Sequence, residues 1–122
     1  MSHQGVPMPY IPIRLLNNTR LAERVVLVDT SATVNVMPYP LGVELGFTWN
    51  DSKAIIPLGG NVRSLAIPIS MTGVIGNLDP TELIFAWAGN NIPPLLLGQL
   101  NFFQEFHVCF YQNQNYFEIA SK

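Results

Sequence analysis

Short apolar runs broken by turn residues dominate this chain. The run Val25-Val26-Leu27-Val28 is continuous and mostly β-branched, which predicts a strand buried on both faces. It ends on a lone carboxylate, Asp29, followed by Thr30, Ser31 and Ala32. An acid at the end of a buried strand must meet water in a cleft or find hydrogen-bond donors, because a lone buried charge is costly. Thr30 and Ser31 are small donors set where the chain has to turn.

The same pattern predicts most of the remaining elements. Residues 10–16 read as a first strand, with Pro12 indicating an edge, and residues 17–20 read as a turn by composition. Residues 21–28 return from it, so a hairpin delivers the chain to Asp29. Residues 33–37 alternate polar and apolar, as a half-buried strand does, and residues 41–45 form one helical turn stopped by Gly46. Residues 54–56 and 62–71 make a second hairpin whose tip is Pro57-Leu58-Gly59-Gly60-Asn61. Residues 73–80 are a loop, and residues 81–88 form a strand with Leu83, Phe85 and Trp87 on one face. Residues 93–98 are a second buried apolar run closed by Gly98. Residues 99–106 carry Leu100, Phe103 and Phe106 at helical spacing and predict a helix; residues 107–119 predict a closing hairpin. Residues 1–9, with Gly5, Pro7 and Pro9, read as an extended arm. The fold class expected is all-β with one short helix near the C-terminus.

Composition narrows the function classes. At 122 residues the chain is one domain, long enough to bury a core. Apolar residues make up 48%, an ordinary share, but charged residues only 11%, far below the usual level. So small a charged face predicts that a partner or a second copy covers some apolar surface. A net charge of −2 with scattered Lys and Arg gives no basic stripe, so no nucleic acid is expected as a partner. Cys109 is single, sits between Val108 and Phe110, and reads as a buried free thiol. His3 and His107 lack partners at metal-ligand or triad spacing, and no phosphate-cradling glycine loop is present. No metal or cofactor is therefore expected. Residues 1–9 lack a signal-peptide pattern and no apolar run approaches the ~20 residues of a membrane span. The expectation is a chain without membrane contact, cytoplasmic by default or a domain released from a longer protein.

Three features in order give the chain a resemblance. The apolar run with Asp29-Thr30-Ser31-Ala32 is similar to the Asp-Thr/Ser-Gly-Ala signature of the retropepsin-like aspartic proteases, with Ser in place of Gly. Leu95-Leu96-Leu97-Gly98 followed by a predicted helix resembles that family's apolar pair, glycine and C-terminal helix. Leu58-Gly59-Gly60 lies between them, where the family has its flap. The resemblance covers residues 15–106 and implies one retropepsin-like domain, an acid-protease barrel contributing one half-site per chain. Many viral members pair an acid four residues after the catalytic Asp with an Arg after the helix glycine. Here those positions are Thr33 and Gln99, so both ends of the ion pair are absent together, a change that can be nearly neutral.

The resemblance implies a homodimeric aspartic endopeptidase, since one Asp per chain is half of a dyad. Asp29 would be the acid/base, Thr30 would donate across the twofold axis, and Ser31 with Ala32 would steady the carboxylates. Leu58, Gly59 and Gly60 would form the flap tip. Leu27, Val36, Ile55, Pro94 and Leu96 would line a pocket for apolar side chains of a peptide. Other readings stand beside these: Asp29 as a turn acid capping its own backbone, Gly59-Gly60 as a plain hairpin turn, Leu27 and Val36 as core. A retropepsin-like domain that binds a peptide or protein without cutting it is the alternative function.

Overall fold

Two local signals build the first hairpin. In β1, Tyr10–Asn17, residues Ile11, Ile13 and Leu15 are buried while Tyr10, Pro12 and Arg14 are exposed, the period of two that a strand imposes. The turn to β2, Arg20–Val28, takes two residues, with Asn17 paired to Arg20 and Asn18 at a φ of 55°. Asn tolerates that left-handed backbone better than most residues, and two-residue hairpin turns require it. In a computed structural model, the structure describes residues 10–58, 61–98, 106–111 and 116–121, and side chains for 10–58 and 64–98.

Beyond β2 come β3, Asn35–Met37; a short helix α1, Tyr39–Glu44; and a 3₁₀ turn, Asp51–Lys53. They are followed by β4, Ile56–Leu58; β5, Asn61–Val74; β6, Thr81–Trp87; and β7, Leu96–Leu97. The strands lie in the order β1-β2-β7-β3-β6-β5-β4. The pairs Arg14↔Val74, Leu15↔Gly73 and Leu16↔Thr72 join β5 back to β1. Six strands thus close into a barrel, and β4 hangs from β5 as an edge. Side chains fill the interior: Leu15, Val26, Met37, Phe85, Trp87 and Leu97 are essentially inaccessible. The final strands β8, Phe106–Tyr111, and β9, Tyr116–Ser121, form a separate antiparallel pair. Mostly β structure with little helix is therefore the architecture.

Helix α1 is short but closed at both ends. Proline in its first turn suits a position whose N–H has no helical acceptor. Its C-terminal carbonyls are met from the first hairpin: Asn17 Nδ2 donates to Leu45 O at 2.8 Å and Arg20 Nη1 to Glu44 O at 3.2 Å. Gly46, at a φ of 91°, then turns the chain out, as expected of a helix-ending glycine. Gly42 lies directly against the Trp87 indole, where any Cβ would overlap the ring. Trp87 stacks on Tyr39 with centroids 5.5 Å apart and donates its Nε1–H to Tyr39 O at 3.0 Å.

Several sequence expectations are corrected. Val25 is 63% exposed, so β2 is buried on both faces only over Val26, Leu27 and Val28. Residues 33–34 lie outside β3, and all three residues of β3 are buried because β7 and β6 flank it on both edges. Strand β5 continues through Gly73 and Val74 into the stretch expected to be a loop. The strand expected at 54–56 begins at Ile56 and runs to Leu58. Phe106 opens a strand rather than ending a helix, and residues 99–105 of that expected helix lie outside the described residues, as does the arm at 1–9.

The Gly42–Trp87 contact is directly testable. Gly42→Ala is expected to destabilise the fold by about 1–3 kcal/mol through overpacking, read from urea unfolding followed by tryptophan emission.

Candidate active site

Asp29 sits one residue beyond β2, where the ladder to β7 continues through its backbone. Its N–H donates to Leu97 O at 3.0 Å, just as Leu27 N–H donates to Leu95 O at 3.1 Å. The chain then turns sharply, with Ala32 N–H donating to Asp29 O at 3.1 Å. Within that turn, Asp29 Oδ1 accepts the Ser31 N–H at 2.9 Å and the Ser31 Oγ–H at 2.7 Å. Two donors on one oxygen fix the carboxylate's direction, as small hydroxylated turn residues commonly do. Asp29 is half-buried; Thr30, Ser31 and Thr33 are exposed and Ala32 is half-buried.

Three neighbouring strands supply an apolar row beneath it. Leu27 pairs with Leu96 in parallel, and Leu96 pairs with Val36 in antiparallel register. Residues opposite one another across a ladder share a face, so Leu27, Leu96 and Val36 form one strip. Asp29, two residues past Leu27, continues that face. Leu27 and Val36 are buried and Leu96 half-buried, and none of the three belongs to the barrel's interior cluster. Ile55, at 67% exposure, and Pro94 stand in solvent and are not drawn into this strip. Leu58 is half-buried at the end of β4; Gly59, Gly60 and Gln99 lie outside the described residues.

The turn is held from below by Gly98. A Cβ on Gly98 would stand 2.6 Å from Val34 O and 2.8 Å from Ala32 O, closer than side chains are found to backbone oxygens. Only glycine lets the end of β7 lie against the 32–34 backbone in this way. Its N–H donates to Asn35 Oδ1 at 2.8 Å, and Asn35 Nδ2 donates to Ile84 O at 2.9 Å. Asn35 is 1% exposed. It was legible only as the polar partner in an alternating pattern, because Thr33-Val34-Asn35-Val36-Met37 alternates whether or not Asn35 meets water. The sequence carries no separate signal for its role.

A cleft of about 920 Å³ opens on the β4–β5 side, walled by Tyr39, Trp49, Asp51, Leu58, Asn90 and Pro93 among others. Of the expected site residues that the structure describes, Leu58 alone lines it. Among the described residues, no cluster of His, Cys, Asp and Glu could hold a metal ion, and no helix is long and apolar enough to cross a membrane. No family model, curated protein or solved structure matches this chain.

Asn35→Leu is expected to leave the buried Gly98 N–H without its acceptor and to cost about 1–3 kcal/mol. Equilibrium denaturation checks this, and slowed amide exchange at Gly98 in the parent, lost in the variant, locates the effect.

Proposed function

We propose that the chain is an aspartic endopeptidase of the retropepsin-like type, active as a homodimer with one Asp29 from each copy. The observation that carries the reading is the held Asp29 carboxylate, with Ser31 donating twice to one of its oxygens in a turn braced by Gly98. The apolar strip of Leu27, Leu96 and Val36 beside it supports peptide substrates with apolar residues flanking the cleaved bond. The β4–β5 hairpin, with Leu58 at the end of its first strand, supports the role of a covering flap.

The chemistry follows from two carboxylates about 3 Å apart, which cannot both ionise and so share one proton. The ionised member takes a proton from a water as its oxygen attacks the peptide carbonyl carbon. The protonated member gives its proton to the carbonyl oxygen, producing a neutral tetrahedral diol. Collapse of the diol breaks the C–N bond; the amide nitrogen gains a proton from one carboxyl and the other recovers one from a diol hydroxyl. The dyad ends with the single proton it began with. Thr30, at the exposed tip of the turn, is the residue suited to reach the other copy and keep the two loops in register.

A second reading is a silent relative that binds peptide without cutting it. It is favoured by Ser31 Oγ, which occupies Asp29 Oδ1 where the family's glycine offers only a backbone donor. Thr33 and Gln99, where many viral members place an ion pair, point the same way.

Asp29→Asn is expected to lower cleavage of a mixed peptide library by at least ~10³-fold while leaving thermal unfolding and sedimentation unchanged. Equal turnover by the clean variant removes Asp29 from the chemistry.

A further inference from the structure

The cleft beside β4 has chemistry that the Asp29 site does not use. Among the described residues that line it, Asp51 is the one charged residue and none is Lys or Arg. Asp51 Oδ1 accepts the Trp49 Nε1–H at 2.7 Å, which ties an exposed carboxylate to the edge of an indole. That indole is itself fixed. It stands edge-on to Trp87 with centroids 5.2 Å apart and 5.9 Å from Tyr39. Gly89 approaches it so closely that a Cβ there would lie 3.2 Å from the ring. Aromatic surface and a carboxylate, held together before any ligand arrives, suit a cationic head group. Leu58, Leu65 and Pro93 give the same cleft apolar surface for the stem of a long basic side chain.

Size and position favour a peptide as the carrier of that cation. A volume of about 920 Å³ exceeds what one side chain fills. Strand β4 borders the cleft through Leu58 and, among the described residues, has a strand neighbour on one side only, leaving an edge along which an extended segment can lie. We infer that this cleft binds an extended peptide through an Arg or Lys side chain seated against Trp49 and paired with Asp51. The inference rests on the proposed peptide-cleaving reading and adds to its specificity.

A probe without a scissile peptide keeps the two readings separate. N-acetyl-arginine methylamide and its citrulline counterpart are titrated into the Asp29→Asn protein at low salt, followed by tryptophan emission. The chain's two tryptophans, Trp49 and Trp87, both belong to this aromatic cluster, so occupancy is expected to change the signal. The arginine compound is expected to bind about fivefold more tightly than the uncharged one, and Asp51→Asn to abolish that difference. Equal affinity for the two compounds, no response to the arginine compound, or a preference that survives Asp51→Asn overturns the cation site. Arginine binding without peptide cleavage by the parent supports the cation site and counts against the peptidase reading alone. Cleavage without an arginine preference does the reverse.

Discussion

The contact on which the candidate site depends is that between Gly98 and the backbone of residues 32–34. Strand β7 is only two residues long, yet it is inserted between β2 and β3, parallel to one and antiparallel to the other. Such a short strand cannot hold its place through its own ladder. It is held because Gly98, lacking a side chain, packs against Ala32 O and Val34 O while its N–H reaches Asn35. The buried Asn35 satisfies one donor and one acceptor from different strands, so β7, β3 and β6 are tied through a single side chain. A buried polar group that is paired in this way fixes one arrangement, because every alternative leaves a partner unsatisfied.

From that contact the rest of the site follows. With β7 in place, Leu97 O receives the Asp29 N–H and Leu95 O receives the Leu27 N–H, so β2 ends at a defined point. The turn that follows can then point Asp29 in one direction, with Ser31 holding one oxygen. The barrel supplies rigidity at a distance. Closure through β1 and β5 removes two free edges, leaving β4 as the unpaired edge of this sheet among the described residues. The aromatic group of Tyr39, Phe47, Trp49 and Trp87 anchors α1 and the 47–51 segment to β6. Two of these rings, Tyr39 and Trp49, also wall the cleft beside β4, so one packing solution serves both core and surface.

Local elements were legible in the chain, and non-local pairings were not. The first hairpin follows from period-two alternation and the Asn17–Arg20 turn, and the inward face of Leu83, Phe85 and Trp87 was apparent from spacing alone. The turn acid with adjacent hydroxyl donors was also apparent, since Asp29 and Ser31 are two residues apart. The insertion of β7 and the β1–β5 closure depend on pairs far apart in sequence, for which no local pattern exists. Val25 faces out although it belongs to a continuous apolar run, a pattern that gives no sign of which member is exposed. Asn35 is buried within an alternating stretch, and alternation cannot distinguish a polar residue meeting water from one meeting buried backbone. Gly98 was visible as a glycine closing an apolar run, but the carbonyls that require it become apparent only in three dimensions.

The central claim is that Asp29 is half of a site completed by a second copy of the chain. The most direct measurement is the distance between the two Asp29 carboxylates in an experimentally determined dimer. The account predicts about 3 Å, the separation at which two carboxyl groups share a proton. Carboxylates beyond hydrogen-bonding reach, or a chain that stays monomeric while cleaving peptides, would contradict it.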